Sequence, residues 1–329
     1  MTLHDRALAA LRGLALGDAL GMPTQSLSRE TILEDYGPIT GFVDAGPRQR
    51  IAAGMPAASI TDDTEQAVLL AELLIEGAGT VDTSTFATRL LAWERKMKAK
   101  GSLDLLGPST KFALEQLNDG VPAGEAGSRG ATNGAAMRVT PIGIANDVSD
   151  VRTFVDAVVA ASEVTHNTSL GIASAAAVGA AVSAGVGGAS MPAAIDVAIS
   201  AAVDGEGRGH WVAGGTIAGR LRWAIPYLAD VPADDRDRAL AEVIGTSVAA
   251  QESVVAALAL AAVSDDPWRG ICQAASLGGD TDTVAAIAGA VLGATTGSAA
   301  WPPAEVHALE TINDLHFSSL AHDLLALRA

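Results

Sequence analysis

Cysteine is almost absent from this chain of 329 residues, with Cys272 the only one. No internal disulfide can form, which predicts a reducing compartment and a cytoplasmic protein. A lone Cys in an apolar helical stretch reads as a small core residue. Aromatic residues are scarce at 4%, although 49% of the chain is hydrophobic. Much of that apolar content is Ala. This argues against a sheet rich in β-branched and aromatic side chains and predicts closely packed helices. Positive charge is also in deficit: 21 Lys and Arg face 38 Asp and Glu, a formal net charge of −17. Nucleic acids and anionic membranes both select a basic surface, so neither is an expected partner. A phosphate-bearing substrate stays open, because metal ions or helix N-termini can receive phosphate.

A strongly apolar run is lacking as well. Met1 to Arg12 carries His4, Asp5 and Arg6 where a secretory leader would have an apolar core. Between Val164 and Ile195 the only potentially charged residue is His166. That stretch is mostly Ala, Gly and Ser, however, and Gly185 to Gly188 and Pro192 interrupt it. Such residues contribute little insertion free energy, so a buried helix is expected and a membrane span is not.

The chain is rich in helical periodicity. Apolar spacing predicts helices over 5–21, from about 64 to 74, and over 83–100, 150–164, 234–247, 251–263 and 303–327. Arg95, Lys96, Lys98 and Lys100 suit the C-terminus of the third of these. Residues 31–60 read as loop, with Gly37-Pro38, Gly46-Pro47, Gly54 and Pro56. The Gly-rich run 204–216, with His210 and Trp211, reads as a loop near a pocket. No dinucleotide fingerprint accompanies it, because no strand precedes it. There is no clear internal repeat and no run of alternating strands. The expectation is one all-α domain over 1–329.

Oxygen ligands are also present in excess. Gly278-Gly279-Asp280-Thr281-Asp282-Thr283 opens an uncharged helix with two carboxylates and two hydroxyls beyond what one cap requires. Thr61-Asp62-Asp63-Thr64-Glu65 opens another helix in the same way. A capping box with Asp62 as N-cap and Glu65 at N3 accounts for two of those side chains and leaves Asp63 unexplained. Hard divalent cations take such oxygen clusters, so the two stretches together suggest a metal site. Asp18, in apolar company, needs a partner. Arg138 reads as an ion-pair partner for a buried Asp. The 130–138 loop can present backbone N–H groups to a polar ligand. His166 near a helix start reads as a structural residue or a site residue.

Five pieces, in order, resemble the ADP-ribosylglycohydrolase family. They are LGDALG at 16–21, TDDT at 61–64, NGAAMRVTPIG at 133–143, THNTS at 165–169 and GGDTDT at 278–283. The resemblance implies a compact orthogonal helical bundle holding two divalent cations, Mg²⁺ or Mn²⁺. It assigns Thr61, Asp62 and Asp63 to the first ligand set and Asp280, Asp282 and Thr283 to the second. It places Asn133, Gly134 and His166 against the substrate, and Asp18 near the metals in a structural role. Either Asp62 or Asp63 would serve as general base. Gln25 and His210 complete the expected substrate contacts. The chain departs from the family at Gly21-Met22-Pro23-Thr24-Gln25, where the pattern G-x-P-x-E ends in a neutral amide. The expected activity is cleavage of an ADP-ribosyl N- or O-ribosyl bond, with an ADP-ribosylated protein as a possible partner. The alternatives are a small ribosyl or nucleoside-like metabolite as substrate, or a non-catalytic ADP-ribose-binding protein.

Overall fold

The computed structural model describes residues 1–99 and 107–328, and it is all-α. Among those residues there is no named strand. Extended pairing is limited to two isolated bridges, Thr132 with Ala249 and Thr168 with His210.

Small residues explain how the helices close together. The Leu3–Gly21 and Thr281–Thr296 helices run antiparallel in direct contact. Gly13 faces Gly289, Gly17 faces Ala285, and Gly21 faces the backbone of Asp282. A four-residue step keeps these positions on one helix face. A Cβ at Gly13 would overlap the Gly289 carbonyl, and one at Gly17 the Ala285 carbonyl. Main chain therefore touches main chain, and the start of the second helix is set directly by the end of the first.

The Ser169–Val186 helix forms the centre of the core. Its mean hydropathy is 1.7 and it is long enough to cross a membrane, but almost all of it is buried within the protein. It packs against the Val151–His166, Met191–Gly205 and Thr281–Thr296 helices. Ala and Gly on most of its faces allow that crowding. Cys272 lies in the same core at 6% exposure, and burial pushes its thiol pKa up to about 12. It is an inert packing residue.

Several helix expectations change in detail. The 303–327 region is two helices, Pro303–Ile312 and Phe317–Leu327. The break comes where Asn313 donates to the Ala58 carbonyl and accepts from Ile60 N–H, which ties the Thr61 approach loop to the bundle. The 234–247 stretch is a run of short turns ending in a π-helical turn over Ala239–Ile244. Gly245, at φ 93°, stops it. Residues 31–60 are not all loop, because Ser28 caps a helix over Arg29–Asp35. The Pro108–Asn118 and Ile217–Asp230 helices had no clear sequence signal, and Pro226 interrupts the second one's pattern. Lys100 lies outside the described residues.

Candidate active site

The first oxygen cluster is held by a cap supplied from elsewhere in the chain. Thr61 is the N-cap of the Asp62–Glu76 helix, but its side chain makes no cap bond. The expected capping box is not formed: Glu65 accepts from Trp93 Nε1 at 2.6 Å instead. Asp18, on the first helix, does the capping. It accepts from Thr61 N–H and Thr64 N–H, and also from both threonine hydroxyls, Thr61 Oγ1 at 2.7 Å. Four donors favour the carboxylate, but full burial outweighs them and pushes its pKa up to about 6. Asp18 is thus a structural residue behind the site, as expected. With the Thr61 proton committed to Asp18, the Thr61 oxygen keeps its lone pairs free.

The second cluster is placed by two left-handed glycines. Gly278 and Gly279 have φ of 84° and 78°, and a Cβ on Gly279 would overlap the Thr246 carbonyl. Asp280 N–H donates to Thr246 O at 2.7 Å, and Gly279 exchanges backbone bonds with Ser26 and Leu27. Asn133 then donates from Nδ2 to Asp280 Oδ2 and to Ser253 Oγ. Thr283 Oγ1 donates to Asp63 Oδ2 at 3.3 Å, a direct link between clusters 220 residues apart.

A cavity of 130 Å³ is lined by Asp62, Asp63, Asp280, Asp282, Thr283 and Asn133, with Gly134 and Gln25 also in its wall. Thr61 is 1% exposed and sits just behind that lining. Burial, reinforced by their mutual repulsion, raises the pKa values of Asp62, Asp63 and Asp282 well above the ordinary range. Burial raises that of Asp280 as well, against the Asn133 and Thr283 hydrogen bonds. Among the described residues no three Asp, Glu, His or Cys side chains already converge as a finished ligand set. Two carboxylate oxygens, Asp63 Oδ1 and Asp282 Oδ1, are nevertheless buried without a hydrogen-bond partner. A buried unpaired acceptor of this kind costs about 1–3 kcal/mol, more when charged. An all-oxygen donor set with orphaned carboxylate lone pairs fits a hard divalent cation.

A buried polar chain supports the cavity from behind, and sequence reasoning missed its key member, Gln66. Gln66 Nε2 donates to Asp62 Oδ2 at 3.1 Å, while its Oε1 accepts from Arg138 at 2.8 Å. Arg138 is fully buried and, contrary to expectation, has no ion-pair partner among the described residues. Gln66 bridges it to Asp62 by hydrogen bonds, the Asp62 charge also acts on it through space, and its guanidinium stacks 4.9 Å over Phe86. The available signal was Gln66 itself, a polar residue four positions after Asp62 in an apolar helix.

Arg138 also donates to Thr165 Oγ1 at 2.6 Å. With one lone pair occupied by Arg138, the Thr165 hydroxyl can donate its own proton to His166 Nδ1, 2.7 Å away. That arrangement makes His166 the neutral Nε2–H tautomer, with Nε2 donating to Thr132 Oγ1 at 2.9 Å. Burial and Arg138 lower the His166 pKa well below its usual value, in agreement. Nitrogen-15 NMR of the histidines, assigned with His166→Asn, is expected to show Nε2 protonated and Nδ1 bare at neutral pH. A charged or Nδ1–H ring would contradict this.

His166 ends the Val151–His166 helix and is fully buried behind Thr132 and Gly134, so it supports the lining without forming it. His210 is not brought to the cavity. Its backbone pairs with Asn167 and Ser169, and its ring lies 3.8 Å from Glu125. Trp211, beside it, is 81% exposed.

Comparison with known proteins identifies the family and the fold. The family model for ADP-ribosylglycohydrolase matches residues 1–329. The ADP-ribosylarginine hydrolase Tri1 of Pseudomonas putida (strain GB-1) is 29% identical over 97% of this chain and 78% of its own length. The ADP-ribosyl-dinitrogen reductase glycohydrolase of Rhodospirillum rubrum is 30% identical over 58% of this chain and 61% of its own. Among solved structures, an ADP-ribosylglycohydrolase-related protein complex superposes with a TM-score of 0.73 at 25% identity, covering 99% of this chain and 98% of that one. With its helical bundle and carboxylate-lined cavity, the chain belongs to the ADP-ribosylglycohydrolase family and is a glycohydrolase.

Proposed function

We propose that the chain hydrolyses the ribosyl bond of an ADP-ribosyl compound, N- or O-linked, with two divalent cations, Mg²⁺ or Mn²⁺, in the carboxylate-lined cavity. The observation that carries this reading is the pair of orphaned oxygens, Asp63 Oδ1 and Asp282 Oδ1, one from each cluster. Thr61, Asp62 and Asp63 would hold one ion, and Asp280, Asp282 and Thr283 the other. Bound there, such ions supply Lewis acidity toward oxygen ligands and lower the pKa of water.

The protein's own groups divide the remaining work. Asn133 fixes Asp280, Gln66 fixes Asp62, and Thr283 fixes Asp63. The Asp62–Asp63 pair receives the proton of the attacking water. The acidic walls favour the oxocarbenium character that develops on ribose. The names of the two relatives support an ADP-ribosyl substrate, with an ADP-ribosylated protein as its carrier. A small ribosyl metabolite is the second reading, favoured by neutral Gln25 in the cavity wall.

The test is turnover of ADP-ribosyl-arginine, ADP-ribosyl-serine and simple nucleosides, with and without chelator, and with products identified by mass. Metal-dependent release of ADP-ribose is expected. Full activity after chelation would overturn the metal assignment. Turnover confined to nucleosides would select the second reading.

A further inference from the structure

A second cavity of 570 Å³ adjoins the acidic one, and the two share Gln25, Ser26 and Ile51 as a common wall. Ser26, at that wall, adopts φ 60°, a conformation that non-glycine residues rarely take. It is held there by its N–H bond to Gly279 O at 2.6 Å. The wall is thus hydrogen-bonded to the turn that places Asp280.

The charge of the second cavity is opposite to that of the first. Its lining contains no Asp, Glu or His, and its two titratable residues are Arg48 and Arg50. Arg48 is neutralised by Asp35 and Glu34, at 2.5 and 3.0 Å. Arg50 has no ion-pair partner among the described residues. Gln49 is spent internally: its amide donates to Pro23 O and Gln25 O and its oxygen accepts from Ile51 N–H, which fixes the turn carrying Arg50.

We propose that this second cavity receives the leaving group, and that the leaving group is an oxyanion, a phosphate or a carboxylate. The inference rests on the hydrolase reading above and deepens it. With ribose in the acidic cavity and its anomeric carbon at the shared wall, the bond to be broken would point toward the cavity that Arg50 lines. A guanidine or an alkoxide needs a proton in order to leave, and no acid lines that side. A phosphate or carboxylate needs none. In the balanced step, the bond from the anomeric carbon to the leaving oxygen breaks and that oxygen keeps the electron pair. The oxygen of water bonds to the carbon, and its proton passes to the Asp62–Asp63 pair. Arg50 meets the anion as it forms, and Gln25, being neutral, does not repel it. A guanidinium leaving group would instead meet like charge there.

Two measurements test this. In the metal-loaded protein, ADP-ribose 1″-phosphate and a peptide ADP-ribosylated on glutamate are compared with ADP-ribosyl-arginine. At least one oxyanion-leaving substrate is expected to have the highest kcat/KM, and whichever leads identifies phosphate or carboxylate as the source. Arg50→Gln is expected to lower that kcat/KM about 10- to 100-fold, the size of a charge-assisted hydrogen bond. In chelated protein, where metal cannot hold the anion, NMR titration with inorganic phosphate is expected to show binding weakened about 10-fold or more by Arg50→Gln. ADP-ribosyl-arginine as the best substrate, or phosphate binding indifferent to Arg50, would overturn the proposal. Absence of turnover of every riboside, with Arg50-dependent phosphate binding intact, would instead overturn the hydrolase reading on which the leaving-group role rests.

Discussion

Asp282→Asn is expected to abolish hydrolysis while making the metal-free protein more stable. Asp282 is fully buried and repelled by Asp280, Asp18 and Asp62, and its Oδ1 has no partner. An Asn of the same shape removes one like charge and brings an amide donor among carboxylates. Relief of an unsatisfied buried acceptor is worth about 1–3 kcal/mol. The metal-free unfolding midpoint should therefore rise by a few degrees. Activity should fall by at least about 10³-fold, beyond the roughly 10- to 100-fold typical of residues that only support a ligand. The measurement is a pair: thermal unfolding in chelator, and kcat/KM in excess Mn²⁺. A destabilised, inactive variant would point to a packing role, and an active one would remove Asp282 from the site.

The second large effect is the response of stability to divalent metal and pH. Burial and repulsion hold the pKa values of Asp62, Asp63 and Asp282 well above the usual carboxylate range. In that window the folded protein binds protons that the unfolded chain releases. The stabilising contribution is therefore complete below the unfolded value near 4 and is lost as pH rises through the raised folded values. The metal-free protein should lose thermal stability from pH 5 to pH 8. Cations must displace those protons, so metal binding strengthens over the same range. At a hundredfold excess over its Kd one ion contributes about 2.7 kcal/mol, and two independent ions about twice that. Calorimetry at pH 5 and pH 8, with and without Mg²⁺ or Mn²⁺, should show a larger metal-induced rise at the higher pH. A midpoint indifferent to both metals, or a metal-free protein that becomes more stable toward pH 8, would contradict the two-ion centre.

The parts of this site that were legible in the sequence are those written in consecutive residues. Thr61-Asp62-Asp63 and Asp280-Thr281-Asp282-Thr283 carry more oxygen than any cap uses, and that surplus survives without knowledge of the fold. Asp18 as the cap of a helix whose N-cap, Thr61, lies 43 positions later was not legible, because the local sequence already offered a plausible cap in Asp62 and Glu65. The same holds for Arg138, whose partner proved to be an amide, since a buried guanidinium and a buried carboxylate suggest a direct pair. His210 was misplaced because backbone pairing with Asn167 and Ser169, invisible in the sequence, decides where its ring points. Helices with unbroken periodicity were legible. The break at Asn313 was not, because its cause lies at Ala58 and Ile60.

The glycine contact between the first helix and the Thr281–Thr296 helix has a consequence for redesign. Where backbone meets backbone there is no side chain to re-pack, so the Asp282 position has no slack to absorb a mutation at Gly13, Gly17 or Gly21. The turns carrying Ser26, Arg50 and Ile51 are anchored to that frame by only a few hydrogen bonds. A library meant to change the substrate should therefore vary these turns and leave the glycine column untouched. Selectivity can then drift over a fixed coordinate origin.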